Sequence, residues 1–371
     1  MTTTSDAALS DDRVADDAAD SAIPGRPGAI TPARVRAAVG IVVATAAVAV
    51  FGVIGSNEWV SVMNTVFITC IGALALNLLL GHTGLVSIGN AAFLSIGAVA
   101  AAQIAVRHHG PFWLALIVGT LASALAGLLL AIPAARIKGL YLAMATLAFH
   151  FIVNSGVLKI QTKQVGPAGY RLPKASLAGF EIRSLRVWYV VLAVSAALTL
   201  LLVRTLLVRK PGRAWRAIRE EQAMAAMSGV AVWRYKVWAF AVSSGLVGFA
   251  GVLSAYYIGV ISSETFDLHL AVLYLAYVII GGMGSMYGPI VGSLFLVSLP
   301  LIIEKSRSGL GLGSSDPHIF LIQDAAIGAA VVVMILVEPL GLARLLGRAA
   351  GFAGRLFARR RAVAVPEGSA P

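Results

Sequence analysis

Long apolar stretches, separated by short polar or glycine-rich segments, make up the chain from residue 37 to about residue 340. An apolar stretch of about 20 residues can cross a lipid bilayer as an α-helix. Two stretches are longer than one crossing, and we expect them to break at GHTG (81–84) and GGMGSMYGP (281–289). The pattern predicts an all-α polytopic membrane protein of about ten transmembrane helices, with broken or re-entrant segments near 81–90 and 281–289. The predicted crossings are 37–55, 59–80, 86–106, 111–135, 139–158, 187–203, 237–261, 268–280, 289–303 and 317–337.

Composition supports this class and separates two tails from the apolar region. Hydrophobic residues make up 58% of the chain and charged residues 12%, whereas a soluble domain has about 25% charged residues. Residues 1–36 hold six Asp, four Arg and three Pro without the apolar core of a signal peptide, which predicts a disordered cytoplasmic tail. Residues 344–371 carry six Arg and form a basic cytoplasmic tail. The transmembrane domain is therefore predicted at 37–343.

Positive charge predicts the orientation. With ten crossings and a cytoplasmic N-terminus, 20 of the 29 Lys and Arg residues face the cytoplasm, as cytoplasmic loops generally require. We expect both termini and the loop 204–236 inside, and 159–186 and 304–316 outside. The net charge of +12 comes from span ends, not from a basic surface interleaved with aromatic residues, so we expect no nucleic-acid partner.

The loop 204–236 contains a predicted helix of its own. It carries eight Lys and Arg residues against two acids, and it lies between two uncharged apolar stretches. Pro211 and Gly212 break the chain, and Gly229 is a candidate helix cap. Between them Trp215 and Ile218 recur at helical spacing with Gln222 and Ala225, which predicts a short amphipathic helix that packs on a partner.

A second group of residues surrounds the two predicted breaks. Non-helical backbone in a membrane is tolerated only where protein or water satisfies its polar groups, and such groups can also bind a polar substrate. For any single glycine, close helix packing is the favoured role. The segment 75–98 as a whole, with two asparagines, favours a substrate path. The predicted path residues are Asn77, Gly84, Ser87, Gly89, Asn90, Gly282 and Gly284.

The sequence lacks the motifs of several enzyme classes. None of its seven lysines follows a glycine, so it has no P-loop for ATP, and it contains neither G-x-S-x-G nor CxxC. We therefore expect no catalytic residue, no metal and no cofactor in this chain. His150, Asn154 and Asp324 are isolated polar residues within predicted crossings, and the sequence leaves their role open.

Three stretches resemble the larger of the two permease types in branched-chain amino acid ABC importers. They are ALNLLLGHTGLVSIGNAAFLSIGA (75–98), IKGLYLAMATLAF (137–149) and the run from GRAWRAIREEQAMAAMSGV (212–230) to IIGGMGSMYGPIVGSLF (279–295). The likeness covers residues 59 to about 340.

The resemblance implies that the loop carries a coupling helix that docks on an ATPase subunit. In that family the helix has the motif E-A-A-x-x-x-G. Here Gly229 and Ala225 match the motif, whereas Ala223 and Met224 replace its acid and its other alanine. Glu220 and Glu221 are the nearest acids for the polar contact. We expect direct packing on the ATPase, and the predicted coupling residues are Trp215, Ile218, Glu220, Glu221, Ala225 and Gly229.

The resemblance further implies the permease subunit of an ATP-driven importer for branched-chain or other apolar amino acids in a bacterial inner membrane. Its implied partners are a second permease subunit, two ATP-binding cassette subunits that use the ATP, and an extracytoplasmic binding protein. His82, Leu85 and Asn90 stand where the family often has Tyr, Gln and His, which leaves urea, short amides or another small organic solute open as cargo. A stand-alone secondary transporter or channel is the alternative from a different class, although the chain lacks paired intramembrane carboxylates.

Overall fold

The computed structural model describes residues 55–137, 139–177, 180–182 and 184–309, together with a few isolated positions outside these ranges. Within them lie ten α-helices, and seven, with their flanking turns, are long and apolar enough to cross a membrane. In chain order the helices are α1 (Asn57–Asn77), α2 (Asn90–Ala102), α3 (Phe112–Ala134), α4 (Leu140–Val165), α5 (Leu185–Val208), α6 (Lys210–Glu220), α7 (Gln222–Met227), α8 (Val232–Ile258), α9 (Leu268–Gly281) and α10 (Gly288–Gly309).

Shorter elements connect these helices. Helix α1 continues into a π-helical turn at Leu78–His82, and α2 continues into another at Gln103–Arg107. A 3-10 turn at Ser263–Phe266 precedes α9. Within the described ranges, strands are limited to four two-residue segments in two antiparallel pairs, so the predicted all-α membrane fold is confirmed. The pairs are β1 (Tyr170–Arg171) with β4 (Val260–Ile261), and β2 (Ser176–Leu177) with β3 (Phe180–Glu181).

The predicted crossings correspond to helices wherever the structure describes the chain. The single helix predicted in the loop is instead divided at Glu221 into α6 and α7, and Pro211 and Gly212 lie within α6. Both predicted breaks are present: irregular backbone separates α1 from α2, and a turn separates α9 from α10. Each break joins two crossings at one end of the bundle and does not interrupt a crossing at mid-membrane. The predicted crossing 37–55, most of 317–337 with Asp324, and the tails 1–36 and 344–371 lie outside the described residues. Seven predicted crossings correspond to long helices: 59–80, 86–106, 111–135, 139–158, 187–203, 237–261 and 289–303.

Helix α9 occupies the predicted crossing 268–280 but is shorter than the others. Its 14 residues span about 21 Å at ~1.5 Å per residue, less than the roughly 30 Å hydrocarbon core of a bilayer. Asp267 caps its start by accepting a hydrogen bond from the N–H of Leu270 at 2.9 Å. Gly282, with a φ of 110°, ends it. Helix α9 is therefore too short to cross that core by itself.

Helices α1, α2 and α8 form the buried centre of the bundle, and small residues let them approach closely. Gly97 of α2 abuts Gly248 of α8, and Gly251 of α8 abuts the backbone of Leu94. Such contacts drive helix association in membranes, where the surrounding lipid is as apolar as the side chains. Helices α3, α4 and α5 instead expose most of their apolar surface, as expected for helices that face lipid or another subunit.

The connecting segments collect in two groups, one at each end of the bundle. The end that carries α6 and α7 is hereafter the loop end. There Lys236 Nζ donates to the carbonyl of Ala135 at 3.4 Å, which places the connection after α3 beside the loop. Both breaks lie at this end, and Gly341 abuts Gly282 there. The chain therefore returns to the loop end after α10, as a crossing near 317–337 would require.

At the opposite end, other connections pack together. Gln103 Nε2 donates to the hydroxyl of Tyr170 at 2.9 Å, and the N–H of Ser263 donates to Gln161 Oε1 at 2.7 Å. Burial raises the pKa of the Tyr170 phenol, which therefore stays protonated. Glu58 and Lys305 form an ion pair at 3.3 Å across the ends of α1 and α10. This grouping agrees with the predicted alternation, while the side of the membrane on which each end lies stays a prediction.

We expect Ser176 to face outward and Ser228 to face the cytoplasm, since they lie at opposite ends of the bundle and both are exposed. An impermeant thiol reagent should label Ser176→Cys in intact cells but should label Ser228→Cys only after permeabilisation. The parent chain is a suitable control because its buried Cys70 should not react. Equal labelling of both positions in intact cells would contradict the ten-crossing orientation.

Candidate functional site

The two breaks of the bundle meet at the loop end and are joined by one buried side chain. Asn77, the last residue of α1, is 2% exposed. Its Oδ1 accepts a hydrogen bond from the N–H of Gly284 at 2.9 Å, and its Nδ2 donates to the carbonyl of Ser285 at 2.8 Å. Both backbone groups belong to the turn between α9 and α10. One amide thus satisfies a donor and an acceptor that the second break leaves without helical partners.

Arg219, in the last turn of α6, reaches the same place from the loop. Its Nη1 donates to the carbonyl of Gly81, in the turn that ends α1. The guanidinium also lies against Gly284, and the aliphatic part of the side chain lies against Gly84. A guanidinium suits this position because its planar fork carries five N–H donors and stays charged. The loop helix and both breaks are therefore connected through one side chain.

We call the contact region of the two breaks and Arg219 the glycine junction. The backbones of the two breaks can approach closely there because two positions are glycine. Gly284 has a φ of +77°, a conformation that side chains with a Cβ rarely adopt. A Cβ on Gly81 would lie 2.5 Å from the backbone nitrogen of Gly284, so any side chain there would push the two breaks apart. The members of the glycine junction are Asn77, Gly81, Gly84, Arg219, Gly282 and Gly284.

Helix α6 is amphipathic as predicted, but its apolar face packs inward. Trp215 is 0% exposed and Ile218 is 2% exposed, and Trp215 Nε1 donates to the carbonyl of Tyr235 at 3.0 Å. The expectation that Trp215 and Ile218 pack directly on a partner is wrong, because the membrane helices of the same chain already cover both side chains. The apolar cluster around Trp215 includes Leu78, Leu79, Ala131, Val237 and Phe240.

Helix α7 is short, and its two ends are capped by residues that the sequence analysis had assigned to coupling. Glu221 accepts a hydrogen bond from the N–H two residues later at 3.3 Å and so caps the start. Gly229, with a φ of +82°, ends the helix, and the N–H of Val230 donates back to the carbonyl of Ala225 at 3.0 Å. This is the Schellman arrangement, in which glycine takes the left-handed position. Both residues hold the shape of α7.

Helix α7 exposes two large apolar side chains. Met224 is 63% exposed and Met227 is 80% exposed, although both are large apolar side chains. Ala225 is buried, whereas Glu220 and Glu221 are exposed beside the methionines. Flexible methionine side chains are common at protein-binding surfaces because they adapt to the shape of a partner. We call the exposed patch formed by Glu220 at the end of α6 together with Glu221, Met224 and Met227 the α7 surface.

The remaining predicted path residues lie apart from the junction, where α2 packs against α4. Ser87 is buried, and the N–H of Ile88 donates to Thr146 Oγ1 of α4 at 3.0 Å. Gly89 abuts the backbone of Thr146, and Asn90 begins α2 directly after it. The seven predicted path residues therefore divide into two sets. Asn77, Gly84, Gly282 and Gly284 belong to the glycine junction, whereas Ser87, Gly89 and Asn90 lie at α4.

Helix α4 carries further polar side chains on its buried face. His150 lies one turn beyond Thr146 and is 1% exposed, and Asn154 lies one turn further. Among the described residues, neither ring nitrogen of His150 has a hydrogen-bond partner, and the same holds for Asn90 Nδ2 and Asn154 Oδ1. A buried polar group without a partner is costly, so such groups mark places where a polar ligand, water or another subunit completes the site. We call Asn90, Thr146, His150 and Asn154 the polar seam.

Arg219 and the α7 methionines were not identified from the sequence as functional residues. Arg219 is one of eight basic residues in the loop, and its i, i+3, i+6 spacing with Arg213 and Arg216 predicts only a polar helix face. Its acceptor, Gly81, lies 138 residues away in the chain. In the sequence, Met224 stands out only because it departs from the E-A-A-x-x-x-G motif of the family. A helical projection places Met224 and Met227 on one face, but it does not show that this face is exposed.

The groups of this site are suited to hydrogen bonding and to close backbone contact. Asparagine, threonine, histidine and backbone amides provide hydrogen bonds without fixed charge in the polar seam, while the glycine junction has one guanidinium. Among the described residues, no group of three or more His, Cys, Asp or Glu side chains could hold a metal ion. Uncharged polar groups of this kind can bind a polar solute without the strong attraction of a fixed charge, which would slow its release.

Comparison with known proteins gives the chain a family. Residues 59–305 match the model of a family described as the permease component of branched-chain amino acid transport systems. The chain is also 34% identical over 266 residues to the high-affinity branched-chain amino acid transport system permease protein LivM of Salmonella typhimurium. It is 33% identical over 266 residues to the protein of the same name from Escherichia coli.

Each of these two alignments covers 65% of this chain and 63% of the relative, so the chain spans 63% of the length of these curated proteins. A probable branched-chain amino acid transport permease protein LivM of Methanocaldococcus jannaschii is 25% identical over 237 residues, covering 62% of this chain and 67% of that protein. No solved structure matches the chain. With a family model over most of the described helices, the chain is a multi-pass membrane protein that belongs to the family of permease components of branched-chain amino acid transport systems.

Proposed function

We propose that this chain is the membrane-spanning permease subunit of an ATP-driven importer, and that its cargo is a branched-chain or other apolar amino acid. The cargo class comes from the names of the relatives, which are described as branched-chain amino acid permeases. The importer class is supported by the loop, which presents a small apolar surface outward while its inner helix holds both breaks. In such an importer a separate subunit hydrolyses the ATP, because the sequence of this chain has no P-loop.

The observation that carries the proposal is the contact of Arg219 with Gly81 and Gly284. Through this contact, a displacement of α6 and α7 is transmitted to the adjacent ends of α1, α9 and α10. A rigid element that touches two helix breaks can convert movement of a bound partner into movement of the breaks. A stand-alone transporter or channel would have no need for a loop helix bonded to both.

The expected partners follow from this arrangement. An ATP-binding cassette subunit docks on the α7 surface, and a second such subunit docks on a second permease. Helices α3, α4 and α5, which expose most of their apolar surface, offer the area for that second permease or for lipid. An extracytoplasmic protein delivers the cargo at the end opposite the loop. The chain then resides in a bacterial inner membrane with both termini and the loop end in the cytoplasm.

The polar seam is the candidate contact for the amino acid. A zwitterion needs a hydrogen-bond acceptor near its ammonium and donors near its carboxylate, and Asn90, His150 and Asn154 offer both without partners of their own. The glycine junction is better suited to a gate, since its polar groups are already bonded to each other. Selectivity is shared with the delivering protein, so urea, short amides or another small organic solute fit the same seam.

Replacing Met224 and Met227 together by Glu should prevent the ATPase subunit from docking. Both side chains are exposed in the free chain, and burying unpaired charge at an interface costs several kcal/mol. Co-purification of the ATPase with the tagged chain should fall at least about tenfold, which corresponds to ~1.4 kcal/mol. The matched control is the pair Met224→Leu and Met227→Leu, which keeps the apolar surface and should keep docking.

Two results would contradict this assignment. The ATPase would remain bound to the double Glu variant if docking used another surface. If the chain were a secondary transporter, no separate ATPase would co-purify with the wild-type chain. In that case a protonophore would abolish uptake.

Replacing Arg219 by Gln should uncouple ATP hydrolysis from uptake while leaving the subunits assembled. The side chain bonds Gly81 inside the chain and does not belong to the α7 surface, so docking should survive. Loss of a hydrogen bond from a charged group, about 1.5–3 kcal/mol, should lower uptake per ATP by roughly tenfold or more. Arg209→Gln removes the same charge from the same loop and should leave this ratio unchanged. A ratio near the wild-type value in Arg219→Gln would show that α6 moves the breaks by another contact.

Asn90→Leu and Asn77→Leu should have different effects although they exchange the same side chains. Asn90 Nδ2 has no partner among the described residues, so Asn90→Leu should assemble normally and lower leucine uptake by about tenfold, the value of one hydrogen bond to a charged group. Asn77→Leu leaves the N–H of Gly284 and the carbonyl of Ser285 unsatisfied and should reduce assembly instead. Uptake is measured in proteoliposomes supplied with the binding protein. Normal uptake by Asn90→Leu would place the path elsewhere.

A further inference from the structure

A basic cavity lies beside the glycine junction, between α5, α6 and the two breaks. Its volume is about 770 Å³, compared with the ~30 Å³ that one water occupies in the liquid. Arg204 lines it from the last turns of α5, and Arg213, Arg216 and Arg219 line it from α6. His82 and Gly284 line it from the breaks. The cavity therefore sits at the level where the membrane helices end.

The charge of the cavity is not balanced within the described part of the chain. Four guanidinium groups face it, and Glu220 is the one acidic residue of its lining. Within the described ranges, none of the four arginines forms an ion pair. The ion pair of Glu58 and Lys305 lies at the opposite end of the bundle. Arg213, Arg216 and Arg219 follow one another at three-residue spacing, so they share a face of α6 and repel one another. An anion in the cavity would remove this repulsion.

Two of the four arginines are available for such an anion. Arg219 donates to Gly81, and Arg216 Nε donates to the carbonyl of Gly212 at 3.3 Å. Among the described residues, Arg204 and Arg213 make no hydrogen bond, and both are exposed to the cavity. Arginine pairs with phosphate through two parallel N–H donors, which gives both strength and geometric selectivity. The pair Arg204 and Arg213 therefore fits a phosphate group.

The surroundings of the cavity distinguish a lipid phosphate from a soluble one. Leu207, Val208 and Met286 line the cavity next to the arginines. Leu198, Leu201 and Val208, at 60%, 59% and 68% exposure, form an apolar strip that follows one face of α5 up to the cavity. Acyl chains would lie along this strip with their headgroup at the end of the helix. A soluble phosphate has no apolar part that would contact the apolar strip.

We propose that this cavity binds the phosphate of an anionic phospholipid from the leaflet at the loop end. Arg204 and Arg213 hold the phosphate, and the acyl chains lie on the exposed face of α5. The site is separate from the polar seam and does not depend on which solute is carried. Because α6 contributes both an arginine to the lipid and Arg219 to the glycine junction, the lipid fixes the loop helix against α5. Anionic lipid is attracted to basic juxtamembrane segments in general, and the cavity gives this attraction a defined position.

Lipid retention tests the proposal. The full chain, purified with the subunits that accompany it, is reconstituted in bilayers of phosphatidylcholine with a minor fraction of phosphatidylglycerol, then extracted and washed. Mass spectrometry of the retained lipid should show phosphatidylglycerol enriched over phosphatidylcholine. The double variant Arg204→Gln with Arg213→Gln should lower this enrichment by about tenfold or more, because each arginine loses charge-assisted hydrogen bonds.

A matched double variant controls for charge. Arg209→Gln with Lys210→Gln removes two positive charges from the same loop at residues outside the cavity lining, and it should retain the lipid as the wild type does. Arg204→Lys with Arg213→Lys keeps the charge, should fold as the wild type, and should show an intermediate enrichment, since lysine lacks the planar fork. Equal enrichment in the wild type and the double Gln variant would overturn the proposal. Equal loss in the two Gln doubles would overturn it as well, because the attraction would then be a property of the whole loop.

The remaining outcomes identify another occupant. If millimolar inorganic phosphate displaces phosphatidylglycerol and is itself retained, the ligand is a soluble phosphate and the lipid assignment fails. If Arg213→Cys cross-links to an accompanying subunit and the wild-type chain retains no phosphatidylglycerol, a protein group fills the cavity, and the proposal fails in that case too. Retention of phosphatidylglycerol in the presence of phosphate supports the lipid.

Discussion

The two helix breaks leave backbone groups without helical partners, and the arrangement of the loop end follows from this constraint. A buried backbone group without a hydrogen-bond partner costs on the order of 1–3 kcal/mol. Asn77 supplies the partner for Gly284 and Ser285, and Arg219 supplies the partner for Gly81. Because Arg219 comes from the loop, this requirement holds α6 against the bundle. The orientation of α6 then buries Trp215 and leaves α7 as the outward surface.

Holding α6 in this way changes what the loop can do. A helix whose apolar face is buried in its own membrane domain is a part of that domain and not a separate arm. In the proposed coupling, a partner bound to α7 would act on the bundle through α6. The caps at Glu221 and Gly229 fix both ends of α7. The route from α7 to the breaks is short because the Arg219 side chain contacts both breaks.

The sequence predicts the helices and the breaks well because each depends on local properties. Length and apolar composition determine which stretches can cross a bilayer, and glycine-rich segments such as GHTG determine where helices end. The sequence fails where the outcome depends on distant partners. Amphipathic spacing shows that Trp215 and Ile218 share a face, but it does not show whether this chain or another covers them. Likewise nothing near Arg219 indicates that its acceptor lies 138 residues earlier.

The two asparagines of the first break show why residue type alone does not assign a role. Asn77 and Asn90 are both almost fully buried, and both stand beside glycines. Asn77 uses both ends of its amide within the chain, so its removal would release the turn between α9 and α10. Asn90 keeps its amide N–H₂ group without a partner among the described residues, next to a helix that carries His150 in the same condition. A buried polar group without a partner is costly inside a membrane protein, so hydrogen bonding distinguishes Asn90 from Asn77, whereas their positions beside glycines in the sequence do not.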